Sequence, residues 1–177
     1  MSIWSNRLKY WSVRLESRSG LYETTADLSN EWFDVMAFAM WSSQHGNIQF
    51  NLKKIPISSN GKSTPDYYMI NESTEKAVGV VEYKNREGYT FEKVMVLGGV
   101  IMDIKKYRAM MEYIERYNIR PVFLVRFKDG LRFISLSKPH TTTDADGTSD
   151  RGTVHKTPVV LFGNPREWIE VPPQYGE

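Results

Sequence analysis

A chain of 177 residues, 41% apolar and 25% charged, is sized for one domain with a sizeable core. The formal net charge of +2 is too small to argue for nucleic acid by itself, so any basic surface must come from local clustering. The absence of cysteine excludes disulfides, thiolate zinc sites and cysteine nucleophiles. His45, His140 and His155 stand too far apart for metal-ligand spacing, which leaves open a hard cation held by oxygen.

No run approaches the ~20 apolar residues of a membrane span, and the start, Met1-Ser-Ile-Trp-Ser-Asn-Arg7, lacks an apolar signal core. The expectation is a cytoplasmic protein with a single domain over 1–177. Residues 1–20 carry Trp4, Leu8, Tyr10, Trp11, Val13 and Leu15 among basic residues, in no clean period. They read as an N-terminal arm that packs on the body or on a second subunit, and the arm suggests a homodimer.

From Asp27 to Ser43, Leu28, Trp32, Val35, Met36 and Ala39 recur at helical spacing, with Ser29 as the expected cap. Ile48 to Ile55 alternates apolar and polar residues and predicts a half-buried strand. A polar loop follows over 56–64, turning at Asn60-Gly61. Tyr68-Met69-Ile70 and the run from Ala77 to Lys84 are strand-like and flank a polar turn, a hairpin pattern. Val94 to Val100 predicts a short strand broken at Gly98-Gly99. Asp103 is the expected cap of a helix with Ile104, Tyr107, Met111, Ile114 and Tyr117 on one face, ended by Asn118. Pro121 to Phe127 predicts a buried strand, and Asp129-Gly130 a hairpin turn before Leu131 to Leu136. Residues 138–157 are nearly devoid of apolar side chains and predict a mobile loop. The rest, 158–177, reads as a C-terminal docking segment in which Val159 to Phe162 forms a strand and Trp168-Ile169 pins the tail.

Pro65 to Lys84 carries the chemistry. Side chains alternate along a strand, so Val78, Val80, Glu82 and Lys84 share a face, with Val81 and Tyr83 on the other. Antiparallel pairing across the turn brings Asp66 to the same end of the hairpin. Two carboxylates at close range repel, and a divalent cation removes that penalty while keeping positions for water and a phosphate oxygen. Lys84 is suited to orient the attacking water or to neutralise charge developing on the phosphorus centre.

Pro65-Asp66 followed by Glu82-Tyr83-Lys84 resembles the signature of the PD-(D/E)XK nuclease superfamily, which includes restriction endonucleases, Holliday-junction resolvases and phage nucleases. The resemblance extends to the element order from Asp27 to Phe127. It implies an α/β fold with a restriction-endonuclease-like core, a mixed sheet flanked by helices in the order αβββαβ. It implies that Asp66 and Glu82 bind Mg²⁺ or Mn²⁺, that the Tyr83 carbonyl is a further metal ligand, and that Lys84 is catalytic on DNA. Many members place another acid on the first helix. Of Asp27, Glu31 and Asp34, Glu31 lies at the margin of the buried face and Asp34 points away, so Glu31 is the expected third catalytic carboxylate. Some members carry Gln-x-x-x-Tyr on the second helix; this chain has Asp103-Ile-Lys-Lys-Tyr107 and departs from that exonuclease pattern.

Candidate phosphate contacts are Lys53, Lys54, Lys62, Arg86, Lys93, Lys105 and Lys106, all acting through charge. Tyr67, Tyr68 and Tyr89 are candidates to stack on bases. No helix-turn-helix, zinc finger or separate reading domain is evident. The expected activity is therefore structure-selective or weakly sequence-specific DNA cleavage. The competing expectation is a nuclease fold that binds nucleic acid or a protein without cutting. The short, self-contained form suits a phage protein.

Overall fold

The computed structural model describes residues 25–56, 60, 62–148 and 154–175. The N-terminal arm expected over 1–20 lies outside the described residues. In chain order the elements are α1 (Thr25–Gly46), β1 (Phe50–Lys54), β2 (Tyr67–Asn71), β3 (Lys76–Arg86), α2 (Phe91–Val96), β4 (Val100–Asp103), α3 (Ile104–Tyr117), β5 (Arg120–Phe127), β6 (Gly130–Ser135), β7 (Thr142–Thr148), β8 (Val154–Phe162) and β9 (Ile169–Val171).

A six-stranded mixed sheet in the order β1-β2-β3-β5-β6-β9 forms the middle of the molecule. β3 and β5 are its parallel pair, with Val81 opposite Val122 and Tyr83 opposite Leu124; the other neighbours run antiparallel. Both faces of the centre are covered, so β5 reads as a continuous apolar run rather than an alternating one. On one face, α1 packs Trp32, Val35 and Phe38 against Leu52, Tyr67, Val81 and Leu124. On the other, Met110 and Tyr107 of α3 pack with Val80, Phe123, Val125 and Phe162. Trp168, just before β9, sits among the rings of Phe91, Phe123 and Phe127 at centroid distances of 6.1, 6.0 and 5.9 Å, while Ile169, expected to pin the tail with it, is exposed. Among the described residues no helix is long and apolar enough to cross a membrane.

The expected α1, the β1 alternation, the β2–β3 hairpin, the Asp103 cap and the Asn118 stop all occur. Asn118 adopts the left-handed conformation at φ 52°, which an Asn tolerates at a helix end. Four further features differ from expectation. α1 begins at Thr25, so Ser29 lies inside the helix rather than at its cap. Of the strand expected over Val94 to Val100, Val94–Val96 is instead the end of a helix, Phe91–Val96, and only Val100 is in a strand: Thr90 accepts a hydrogen bond from the Lys93 N–H and starts a turn that the β-branched composition conceals. The buried side of α3 is Ile104, Tyr107 and Met110, while Tyr117 is exposed. Most of the predicted loop over 138–157 is paired. Thr142–Thr148 pairs antiparallel with Val154–Val160, and β8 continues alongside β4 to form a second, three-stranded sheet. Backbone pairing with a partner that contributes the apolar side chains does not require β7 to be apolar itself.

Candidate active site

The hairpin delivers Asp66 and Glu82 to one end of the main sheet. Asp66 sits just before β2, behind the buried Pro65, and is stitched to both neighbouring strands: its N–H donates to the Val81 carbonyl at 2.9 Å, and its carbonyl accepts from the Ile55 N–H at 2.8 Å. Its carboxylate turns toward β3, where Oδ2 accepts the Tyr83 N–H at 2.8 Å. The apolar first half of β3, Val80 and Val81, is fully buried. The strand then emerges as Glu82, Tyr83 and Lys84, with Tyr83 facing α1 and Glu82 facing α3.

Two lysines neutralise the carboxylates. Lys54 Nζ, from the end of β1, is 2.9 Å from Glu31 Oε1 and 3.7 Å from Asp66 Oδ1. Lys106 Nζ, from the first turn of α3, is 2.9 Å from Glu82 Oε2 and donates to the Thr64 carbonyl at 2.6 Å. Among the described residues the Lys106 ammonium is thus the one cation in direct contact with Glu82 Oε2, which is otherwise buried. Burial, then the Asp66 carboxylate, push the Glu82 carboxyl up to about 8, outweighing Lys106 and Lys54. Asp66 is also shifted upward, by burial first and by Glu31, with Lys54 the strongest opposing influence. Lys84 is pulled down to about 8 by burial and by Arg86, against Glu82; its Nζ donates to the Ile101 carbonyl of β4 at 3.0 Å. The hairpin end therefore holds carboxylates whose charge is costly and an ammonium whose charge is nearly as costly.

A divalent cation fits this donor set. Asp66, just before β2, and Glu82, on β3, offer carboxylate oxygens whose charge is costly as they stand, and the Tyr83 carbonyl is on the same segment. Among the described residues no three His, Cys, Asp or Glu converge to hold a metal; Lys54 bridges Glu31 and Asp66, and the Glu31 charge is felt at Asp66. One or two carboxylates plus water is the usual protein share of a Mg²⁺ site.

The other expected site residues are spread along this side of the fold and beyond it. Lys54 and Lys106 lie against the two carboxylates. Lys53 is exposed, Lys62 is exposed 4.0 Å from Glu112, and Lys93 and Lys105 are exposed on α2 and α3. Arg86 ends β3, half-buried, with its guanidinium on the Asn85 carbonyl at 3.1 Å. Tyr67 is fully buried and cannot stack on a base. The β2 register turns its ring under α1, 6.1 Å from Trp32, with Lys54 Nζ 4.6 Å from its centroid. Tyr68 packs against Tyr113 with their hydroxyls 3.2 Å apart, and Tyr89 is 52% exposed.

Asp34 does not point away. It is 5% exposed, takes a two-pronged contact from the Arg126 guanidinium, and accepts the Tyr83 hydroxyl at 2.7 Å. This clamp ties α1, β3 and β5 together behind the very residue whose N–H holds Asp66. Sequence reasoning missed it, although a signal existed: Arg126 interrupts the apolar run Val122-Phe-Leu-Val125, and a cation there requires a buried acid.

A mixed sheet flanked by helices, with an acid before its second strand and a Glu-x-Lys at the end of its third, defines a restriction-endonuclease-like fold of the PD-(D/E)XK superfamily. The sequence matches the profile of the family described as "Phage putative PDDEXK endonuclease" over residues 17–164, and the chain belongs to that family of nucleases. Among curated proteins, none matches the sequence.

Proposed function

We propose that the protein is a Mg²⁺- or Mn²⁺-dependent DNA endonuclease, structure-selective or weakly sequence-specific, with Asp66 and Glu82 as metal ligands, Lys84 as the catalytic ammonium and Tyr83 lending its carbonyl. The observation that carries the reading is the meeting of Asp66 and Glu82 at one hairpin end, each buried, each facing a lysine, and each raising the cost of the other's charge. When bound, the metal supplies Lewis acidity, polarising the scissile phosphate and acidifying water. The residues do the rest. Asp66 and Glu82 fix the cation's position from a rigid strand pair. Lys84, tethered to the Ile101 carbonyl, keeps its remaining N–H donors for the phosphate or the attacking water. Lys54 and Lys106 hold the carboxylates in register and, once a divalent cation neutralises those acids, are free to meet the phosphates on either side. Glu31 acts by holding Lys54.

The test is nicking of supercoiled plasmid by the full chain. Cleavage with Mg²⁺ or Mn²⁺ that disappears with EDTA, and again with Lys84→Ala, is the expected result. DNA binding with no cleavage under any metal would replace this reading with that of a nuclease fold that only binds.

A further inference from the structure

Val96 and Leu97, between α2 and β4, are 76% and 66% exposed, the most exposed large apolar side chains among the described residues. They do not sit on a loose loop. Thr90 caps α2, Val94 is buried beneath it, and the N–H groups of Leu97, Gly98 and Gly99 return to the carbonyls of Lys93, Met95 and Val94 at 3.1, 3.0 and 2.9 Å. Gly98 and Gly99 take φ of 109° and 112°, and any side chain at Gly99 would collide with the Phe162 carbonyl and the Gly163 backbone. The chain is thus folded hard against β8 and presents two apolar side chains on a firm, narrow tip. Displaying them there costs hydrophobic free energy that burial would recover.

The tip is tied to Lys84 through a short stretch of chain. Lys84 Nζ holds the Ile101 carbonyl, and the four residues from Ile101 back to Leu97 span at most ~14 Å, about four base-pair steps. Lys93 is exposed one helical turn before Leu97, with Glu92 the acid beside it, and the Lys84 ammonium sits on Ile101, four residues further along the chain. Two side chains offer on the order of 300 Å² at most, well short of the ~800 Å² per partner of a stable dimer. A narrow apolar tip beside an exposed lysine suits a base step, whose stacked faces are apolar and whose flanking backbone carries phosphates.

Resting on the nuclease reading, we infer that Val96 and Leu97 form a wedge that enters a base step a few pairs from the scissile phosphate and pries the stack open. Such a wedge favours DNA that is cheap to unstack: mismatches, branch points and pyrimidine–purine steps. Selectivity then comes from deformability, with no base-edge contact required.

The experiment uses duplexes with 2-aminopurine at successive positions within five pairs of a mapped nick, bound by the full chain carrying Asp66→Asn to prevent cleavage. Fluorescence is expected to rise at one step by roughly threefold, and to stay flat when Val96→Ser and Leu97→Ser are added, with DNA affinity changed less than about fivefold. With Asp66 intact, the double substitution should slow nicking of paired duplex about tenfold, and of duplex mismatched at that step less than about threefold. Nicking by the unsubstituted chain with a silent reporter, or a signal that survives the double substitution, overturns the wedge alone. A chain that neither binds nor nicks DNA overturns the nuclease reading along with it. A dimer in sedimentation that dissociates on the double substitution makes the tip a self-association surface and overturns the wedge.

Discussion

The two faces of β3 both bury a carboxylate against a cation, and they do so to opposite ends. On the α1 face, Asp34 receives two guanidinium contacts from Arg126 and the Tyr83 hydroxyl, and its bonding is complete. On the α3 face, Glu82 meets a single ammonium, that of Lys106 at 2.9 Å, and is pushed toward its neutral form by burial and then by Asp66. A finished polar network rigidifies; an unfinished one waits for a ligand. One residue step along one strand separates the clamp from the site, and the clamp's Tyr83 is the residue whose N–H orients Asp66.

The largest effect expected from this contrast comes from the finished face. Arg126→Ala leaves Asp34 buried and unpaired and should cost about 3–5 kcal/mol of stability, read by urea denaturation. A loss below about 1 kcal/mol would mean that the clamp is ordinary surface pairing. Next, Lys84→Ala should lower the nicking rate by about 10²-fold or more while leaving the urea midpoint nearly unchanged. A matching fall in stability would recast Lys84 as a strut for β4.

A smaller effect separates the faces by pH. Glu82 titrates near 8 in the fold against an ordinary 4.5, so the folded protein binds the proton more tightly than the unfolded chain. Its stabilising contribution is complete below the ordinary value and is lost as pH rises through about 8. The melting temperature in EDTA should fall between pH 5 and pH 8.5, Glu82→Gln should flatten that slope, and Mn²⁺ should restore most of the loss at the high end. A melting curve indifferent to Mn²⁺ at pH 8.5 removes Glu82 from the metal site. Smallest of all, Asp66→Asn should keep or slightly raise the EDTA melting temperature, because the amide oxygen still accepts the Tyr83 N–H and the repulsion with Glu82 is gone. It should also abolish the Mn²⁺ response. A large drop in melting temperature would make Asp66 structural.

Much of this was legible in the chain. Strand periodicity in 77–84 put Glu82 and Lys84 on one face, and the polar turn before it set the hairpin that returns Asp66 to their side. Glu31 was legible as a marginal residue of an amphipathic helix. The helix at Phe91–Val96 was hidden because its six residues are apolar enough to pass for strand, and its Thr90 cap outweighs that propensity. β7 was hidden because Asp144, Asp146 and Gly147 disfavour a strand and no large apolar residue alternates with its threonines; its pairing comes from β8, distant in composition from it. Asp34 was misjudged because a helical wheel ranks positions by the company they keep along one helix. The partner that buries it, Arg126, comes from β5, 92 residues away.

By itself, then, the sequence determined the hairpin, its carboxylates and the lysine beside them, because these depend on local periodicity and on a register only a few residues long. The tertiary structure decided which charges are paired and which are left wanting. Lys54 and Lys106 reach the acids only after the first strand and the last helix close over the hairpin, and the cost of Glu82's charge exists only where both faces of the sheet exclude water.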